Sequence, residues 1–548
     1  MDIFKDKVIL LTGGTGSFGN KFTEVVLKKH NPHAIRIFSR DEKKQSDMAE
    51  KFHDERLRFF IGDVRHKERL HRAMHDVDIV VHAAALKQVV SCEYNPIEAV
   101  MTNINGTANI IDTAIDNKVD RIISISTDKA VHPVNLYGAT KMTAEKLLIQ
   151  GNSYTGDKPP RFSCVRYGNV IGSRGSVIPL FLKQRETGVL TITDKDMTRF
   201  WLSLEQGVNF VIGCLGRMNG GEVFVPKIPS MRIMDLANAV APDAQKKIVG
   251  IRPGEKIHEV LLTEDEARHT REFNDYFMIE SEYPFWTEDV KPIALPKGFR
   301  YTSDTNTKWI TKKAMKKIID KPNVVAIVQA RTGSTRLPNK VMLEVKSIPI
   351  LGYVVGRLKL CSSLNNIVIA TTTKKRDNII EKYAVENKLS YYRGSEKDVL
   401  ERYYYAARKY NADVIVRITS DCPLVDPDIV DGIVNSHLMG EFDYTSNVIK
   451  RSYPKGLDVE VFDLSTLSKA FTRTSSYNRE HVTPYILNNP KNFKLQNITA
   501  PKELCRPELR VTLDTEDDFK LIKKILEHFS NLNFKSDEVI EYIDSINK

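Results

Sequence analysis

Short apolar runs, separated by longer mixed segments, recur along both halves of the chain. In the first half they read VILLT after Lys7, AIRIFSR at 34–40, LRFFIGD at 57–63, DIVVHAA at 78–84, RIISIST at 121–127 and RFSCVRYGNV at 161–170. The second half opens again at Val324 with VVAIVQ and continues with NIVIATT at 366–372 and DVIVRIT at 413–419. Runs this short and this rich in β-branched residues predict buried strands. The segments between them predict helices, so both halves read as mostly parallel α/β sheets. Each half begins with a strand that runs into a glycine-containing loop: KVILLTGGTGSFG, Lys7–Gly19, and VVAIVQARTGSTRLPNK, Val324–Lys340.

Between the halves, residues 291–322 read KPIALPKGFRYTSDTNTKWITKKAMKKIIDKP. The proline- and lysine-rich front predicts irregular chain, and the end predicts a short basic helix stopped by Pro322. The expected domains are therefore 1–321 and 322–548. No fixed-period repeat or low-complexity tract interrupts them.

Length and composition agree with this division. A chain of 548 residues exceeds one ordinary core, and 41% hydrophobic with 28% charged residues is a soluble globular balance. No apolar run reaches the ~18 residues of a membrane span, and the N-terminus lacks the layout of a signal peptide, so a cytoplasmic location and no membrane partner are expected. The net charge of +11 comes from 81 basic against 70 acidic residues. With the lysines dispersed and no nucleic-acid-binding signature, small anionic substrates account for it better than nucleic acid does. The six cysteines, Cys92, Cys164, Cys214, Cys361, Cys422 and Cys505, show no C-x-x-C spacing, which predicts reduced thiols and neither zinc nor a disulfide scaffold. Cys422 lacks an obvious base.

The first glycine loop places Gly13, Gly16 and Gly19, with Thr15, Ser17 and Phe18, between a strand and a helix. There a pyrophosphate can approach the backbone at the helix N-terminus. The second strand ends in Ser39-Arg40 rather than in a carboxylate. Arg40, with Lys43 or Lys44, favours the 2′-phosphate of NADP, although charges at a helix start can also be plain surface. Asp63 and Val64 are expected to flank the adenine, with Ala83, Ala84 and Lys87 along the cofactor. Tyr137 and Lys141 stand four apart, on one helical face beyond the fifth strand, as a proton-handling couple. The lysine and the cofactor charge are expected to lower the tyrosine pKa. Asp128 and Lys129, next to Thr127, form a second couple at the strand end.

TGGTGSFG, SRDEKKQ, HAAALKQV, STDKAVHPVNLYGATK, RYGNVIGSRGSVIPLF, MTRFWLSLEQGV and GIRPGEKIHEVL together resemble the inverting UDP-N-acetylglucosamine 4,6-dehydratases of pseudaminic acid biosynthesis, which are extended short-chain dehydrogenase/reductases. The resemblance covers about the first 320 residues. It implies a Rossmann-type doubly wound parallel sheet with a small substrate subdomain. It also implies NADP as cofactor, UDP-GlcNAc as substrate, and self-association. In the roles it implies, Tyr137 takes the C4 hydroxyl proton, Lys129 removes the C5 hydrogen and Asp128 protonates the departing C6 hydroxyl. The implied product is UDP-2-acetamido-2,6-dideoxy-L-arabino-hex-4-ulose. Retaining relatives usually carry Met where Tyr137 stands, so Tyr137 favours the inverting branch. Asn169, Arg174, Arg199, Arg252 and Glu255 match positions expected to line the sugar-nucleotide pocket, where arginine forks suit a pyrophosphate.

In the second half, Arg331, Arg336 and Lys340 bracket a Thr-Gly-Ser turn after the opening strand, a triphosphate cradle without the Walker pattern. Asp421 in ITSDCPLVDPDIVD and Asp514 in RVTLDTEDDF are candidate Mg²⁺ carboxylates, or alternatively helix N-caps. With GSEKDVLERYYYAARKY and YNREHVTPYI, these motifs resemble the spore-coat-polysaccharide type of cytidylyltransferase, related to the acylneuraminate enzymes. That resemblance covers about 323–548 and implies a GT-A-like α/β nucleotidyltransferase domain. The implied reaction is attack of a sugar hydroxyl on CTP, with a nonulosonic acid as acceptor. The loop spacing differs from the classical R-x-G-S-K-x-[IL]-x-x-K pattern, which leaves the acceptor sugar open. A dehydratase fused to a glycosyltransferase is the second reading, although D-C-P-L offers one strand-end aspartate where a D-x-D is usual. A non-catalytic NADP-sensing scaffold is the third, and it is disfavoured by the presence of Asp128, Lys129, Tyr137 and Lys141 together.

Overall fold

In a computed structural model that describes residues 2–172, 176–283, 295–474 and 479–546, the apolar runs of the first half form six parallel strands. They are β1 (Val8–Thr12), β2 (Ala34–Ser39), β3 (Leu57–Ile61), β4 (Ile79–His82), β5 (Arg121–Thr127) and β6 (Arg161–Tyr167). They lie in the order β3-β2-β1-β4-β5-β6, and Val223–Pro226, Tyr276–Ile279 and Thr270–Glu272 extend the sheet beyond β6 to nine strands. Helices cover both faces, so both side-chain rows of a central strand are buried; Ile9, Leu10 and Leu11 are all fully inside. The order reverses at β1, which pairs with both β2 and β4. A crevice opens at such a switch point, outside the C-terminal strand ends.

RFSCVRYGNV is not one strand. β6 stops at Tyr167, and Asn169–Val170 pair instead with Thr198–Leu202, which also pairs with Ser230–Arg232. This small sheet, with the pairs Val189–Ile192/Gln245–Ile248 and Val260–Leu262/Tyr301–Thr302, makes up the expected subdomain.

The chain divides into compact units at Lys312/Lys313, ahead of the expected boundary at Lys321. The basic helix, Lys312–Ile319, accounts for the difference. It buries Ala314 and Met315, and Lys317 pairs with Asp463 of the second unit at 2.5 Å.

In the second unit a seven-stranded sheet runs Ser390–Gly394, Asn366–Thr372, Val324–Gln329, Val414–Thr419, Glu460–Asp463, Tyr444–Ser446, Leu495–Asn497. The first four strands are parallel, and Glu460–Asp463 is antiparallel to both its neighbours. Alternation along the opening strand separates two cores: Val324, Ala326 and Val328 pack on one face, Val325 and Ile327 on the other.

Candidate functional site

In the first unit a cavity of about 1190 Å³ follows the C-terminal strand ends. That is room for two ligands end to end. Gly13, Thr15, Ser17 and Phe18 line it at the first loop, then Ser39, Arg40 and Lys44, then Asp63, Val64, Ala83, Ala84 and Lys87. Gly13 has φ +66°, and a Cβ there would stand 2.9 Å from the Ala83 carbonyl, so only glycine lets these two loops close together. Gly16 is the N-cap of the helix Ser17–Lys29 and Gly19 is buried in its first turn, which holds no acidic residue. The exposed N–H groups of that turn and the glycine cradle fit a dinucleotide pyrophosphate.

At the far end Arg40 lies 3.6 Å from Asp63, and Arg65 clamps Asp63 with bonds of 2.9 and 2.7 Å. Burial would raise the Asp63 carboxyl, but Arg65 and Arg40 together hold it below the ordinary carboxylate range.

Beyond Lys87 the cavity reaches Thr127, Asp128, Lys129, Tyr137 and Lys141. Thr127 ends β5 and caps a single turn, Asp128–Ala130. Asn135 then caps the helix Leu136–Gln150 by accepting from Gly138 N–H at 2.7 Å. Gly138 is needed there: a Cβ would fall 2.2 Å from the Lys129 carbonyl oxygen. The helix start therefore packs directly on the turn that carries the second couple. Lys141 Nζ donates to the Ile125 carbonyl at 2.8 Å.

The expected lowering of the Tyr137 pKa involves the cofactor charge as well as the lysine. Burial pushes the phenol up to about 12, opposed by the charge of Lys129 and a hydrogen bond with Thr127, and Lys141 is not among the groups that lower it.

Asp128 is fully buried. Its Oδ1 accepts from the Thr127 hydroxyl and from Lys129 Nζ, both at 2.9 Å, and its Oδ2 has no partner. Burial raises the Asp128 carboxyl pKa despite Lys129. Burial by itself would lower Lys129, but Asp128 and Glu259 raise it well above the usual lysine range. Lys129 thus rests as an ammonium, which a base cannot be.

Sequence reasoning passed over Glu259 and Lys256, although both lie in the GIRPGEKIHEVL motif. Both line the cavity, and Glu259 Oε1 stands 3.4 Å from Lys129 Nζ. Asn169, Arg199, Arg252 and Glu255 also line it. The Arg199 fork, however, turns to its own main chain: it donates to the carbonyls of Thr198, Ile257 and Lys256 at 2.7, 3.0 and 2.9 Å. Those bonds fix the segment that carries Glu259. Arg174 lies outside the described residues.

In the second unit the opening strand runs into the loop 330–340. Asp377 ties this loop down by accepting from the Thr332 N–H and hydroxyl, each at 2.7 Å. Lys340 Nζ donates to Asp421 Oδ2 at 2.7 Å, Asp514 Oδ1 at 2.8 Å and the Leu513 carbonyl at 2.7 Å. Arg336 is 3.6 Å from Asp514, and Arg510, which sequence reasoning missed, donates to Asp514 Oδ2 at 2.5 Å. Burial would raise Asp514, but these three cations hold it at about 2. Arg331 is exposed.

The N-cap alternative for the two aspartates is excluded, because Asp426 caps Pro427–Met439 and Thr515 caps Glu516–His528. Two hard carboxylate oxygens already hold one cation, the Lys340 ammonium, at ion-pair distance, so the donor set fits Mg²⁺. Among the described residues no group of three His, Cys, Asp or Glu could hold a metal, so phosphate oxygens would complete the shell. No described helix is long and apolar enough to cross a membrane.

Residues 9–281 match the family model described as polysaccharide biosynthesis protein, and 325–542 match that of cytidylyltransferase. Over 329 residues the chain is 50% identical to the inverting UDP-N-acetylglucosamine 4,6-dehydratase of Campylobacter jejuni, covering 58% of this chain and 98% of the relative. The structure of Pen from Bacillus thuringiensis is similar with a TM-score of 0.53 and 39% identity, covering 58% of this chain and 98% of that one. A cytidylyltransferase from Leptospira borgpetersenii is 36% identical over 41% of this chain and 95% of its own, with a TM-score of 0.40.

Proposed function

We propose a function from one premise: the chain belongs, over its first unit, to the family of the inverting UDP-N-acetylglucosamine 4,6-dehydratases, and it carries a cytidylyltransferase domain at 325–542. On that premise it is a bifunctional nucleotide-sugar enzyme. The first unit dehydrates UDP-N-acetylglucosamine with inversion at C5, using NADP. The second, with Mg²⁺, activates a nonulosonic acid of the pseudaminic type with CTP.

The observation that supports the first activity is the pair of proton-handling couples facing one cavity. Bound along the glycine loop, NADP supplies the hydride acceptor at C4 and the hydride donor at C6. The positive charge of the oxidised cofactor would offset the burial that raises the Tyr137 phenol, so that Tyr137 as phenolate takes the C4 hydroxyl proton, and the ketone that results acidifies the C5 hydrogen. Lys129 and Asp128 rest as an ion pair joined by one hydrogen bond of 2.9 Å. A single proton crossing that bond turns the ammonium into an amine base and the carboxylate into a carboxylic acid. The amine then removes the C5 proton while the acid protonates the C6 hydroxyl, which leaves as water. Both groups finish the elimination in their starting charge states; once hydride has returned to C6, C5 takes its new proton from solvent on the opposite face, and Tyr137 releases the C4 hydroxyl proton to solvent. Burial of Asp128, which disfavours its anion, brings the neutral pair closer in energy.

The observation that supports the second activity is the Lys340–Asp421–Asp514 cluster at the end of the phosphate loop. Lys340 and Arg336 are placed to oppose triphosphate charge. The metal, held by Asp421 and Asp514, would neutralise phosphate oxygens as pyrophosphate departs.

Turnover of UDP-N-acetylglucosamine in D₂O should give a 4-keto-6-deoxy sugar nucleotide carrying deuterium at C5. Unlabelled product, or none, would sink the dehydratase assignment. Pyrophosphate release should require CTP and a nonulosonic acid; silence with every such acid would move the second unit to another sugar.

A further inference from the structure

Glu259 has no part in the chemistry just described, yet it is built into the same cluster. Its side chain is 2% exposed, and its Oε2 lacks a hydrogen-bond partner. Its main chain is pinned from behind: Glu259 N–H donates to the Ser303 hydroxyl and Ser303 N–H to the Glu259 carbonyl, both at 2.9 Å. Arg199 Nε at 3.5 Å and Lys256 Nζ at 3.9 Å also face its carboxylate. A fixed carboxylate is set 3.4 Å from the lysine nitrogen of Lys129, whose other carboxylate, Asp128, is at 2.9 Å.

We propose that Glu259 is the positioning residue of the Asp128–Lys129 pair, a second anchor that holds the lysine nitrogen so that its remaining direction is left to the cavity. The inference rests on the dehydratase reading. An amine tethered by Asp128 alone could swing about its four-carbon stem, whereas two anchors define where the third vertex of the nitrogen points.

The anchor also carries charge. The groups around it are Asp128 and Lys129 from the turn after β5, and Tyr137 from the helix Leu136–Gln150. Arg199 comes from Thr198–Leu202, and Glu255, Lys256 and His258 from the segment before Val260, with Asp304 beyond His258. Within this set Glu259 favours the protonated form of both Asp128 and Lys129. The working form of the pair holds one proton. Removing the negative charge must therefore move the gain of a second proton and the loss of the only one in the same direction, to lower pH.

Glu259→Gln keeps the shape and removes the charge. It is expected to lower kcat roughly 10- to 100-fold with KM for UDP-N-acetylglucosamine changed less than about threefold, and to shift both limbs of the kcat–pH profile down by about one unit or more. Glu259→Asp keeps the charge but withdraws it by one methylene, so kcat should fall while both limbs stay. NADP titration and melting curves check that each variant folds. Unmoved limbs in Glu259→Gln, or a loss confined to KM, would overturn the proposal. If Glu259→Gln does not fold, Glu259→Asp decides alone, and undiminished kcat or displaced limbs would reject the anchor. No turnover by the unaltered enzyme would remove the dehydratase reading itself, whereas normal turnover with indifferent variants removes only the role of Glu259.

Discussion

Replacing Arg166 by methionine should loosen the helix that carries Tyr137 and Lys141 without altering the cavity wall. Arg166 lies on β6, 3% exposed, between Glu145 on that helix and Glu266. Its Nη1 donates to Glu266 at 3.1 Å and to the Leu261 carbonyl at 3.0 Å. Its Nη2 reaches Glu266 at 2.9 Å and also Glu145. Burial would raise the Glu266 carboxyl, but the guanidinium and the N–H and hydroxyl of Thr263 bring it down from 4.5 to about 2. Because the folded value lies below the ordinary one, this stabilisation is complete above pH 4.5 and is lost as the pH falls toward 2. The difference corresponds to about 3 kcal/mol.

Methionine fills similar space but leaves two buried carboxylates without their cation. Breaking a buried pair in this way costs about 3–5 kcal/mol, or roughly 6–15 °C in Tm for a unit of this size. Differential scanning calorimetry of both proteins from pH 7 to pH 3 is the assay, with the first unit's transition identified as the one raised by NADP. The gap should be widest near pH 7 and narrow on acidification, as Glu266 takes up a proton in the unfolded chain and in the folded variant while the native protein still holds its ion pair. A gap under about 2 °C at pH 7, or one that ignores pH, would refute the reasoning.

Asp128→Asn should cut product formation at least about 100-fold and also abolish C5 exchange with D₂O in recovered substrate, because Lys129 then has no carboxylate to take its proton; unchanged turnover would remove Asp128 as the acid. Arg40→Asp should weaken NADP binding by about 10-fold or more and leave NAD binding no worse, read by titration; equal loss for both cofactors would mean Arg40 does not read the 2′-phosphate. Lys340→Met should lower pyrophosphate release by about 100-fold or more and leave the dehydratase rate alone, so wild-type release would displace Lys340 from the phosphate site.

What was legible in the sequence was whatever depends on local pattern. The strand ends that carry Thr12, Ser39, Thr127 and Thr419 follow from short apolar runs, and Tyr137 with Lys141 from helical spacing. Glu259 was not legible, because its place beside Lys129 depends on the return of a segment about 130 residues later in the chain. The pattern H-E-V in that segment reads as any strand entry. Arg199 misled for a related reason: an arginine in a motif signals a guanidinium, but not whether the fork meets a ligand or its own carbonyls. The boundary helix was placed on the wrong side because its composition is basic and surface-like, while its assignment turns on Ala314, Met315 and one ion pair to Asp463.

Each unit sets a lysine ammonium between two carboxylates, and differences in packing separate what the two lysines can do. Lys340 meets both partners and a carbonyl at 2.7–2.8 Å, with Arg336 and Arg510 beside Asp514. All three N–H directions are taken, so the charge is fixed, as suits a group that opposes phosphates. Lys129 has one short bond, a second carboxylate at 3.4 Å, and a direction left over. Its short-bond partner, Asp128, is fully buried with one oxygen unpartnered, the condition under which a carboxylate gives up its charge most readily. The same pair of residue types thus gives a fixed charge where every bond is made, and a movable proton where one is withheld.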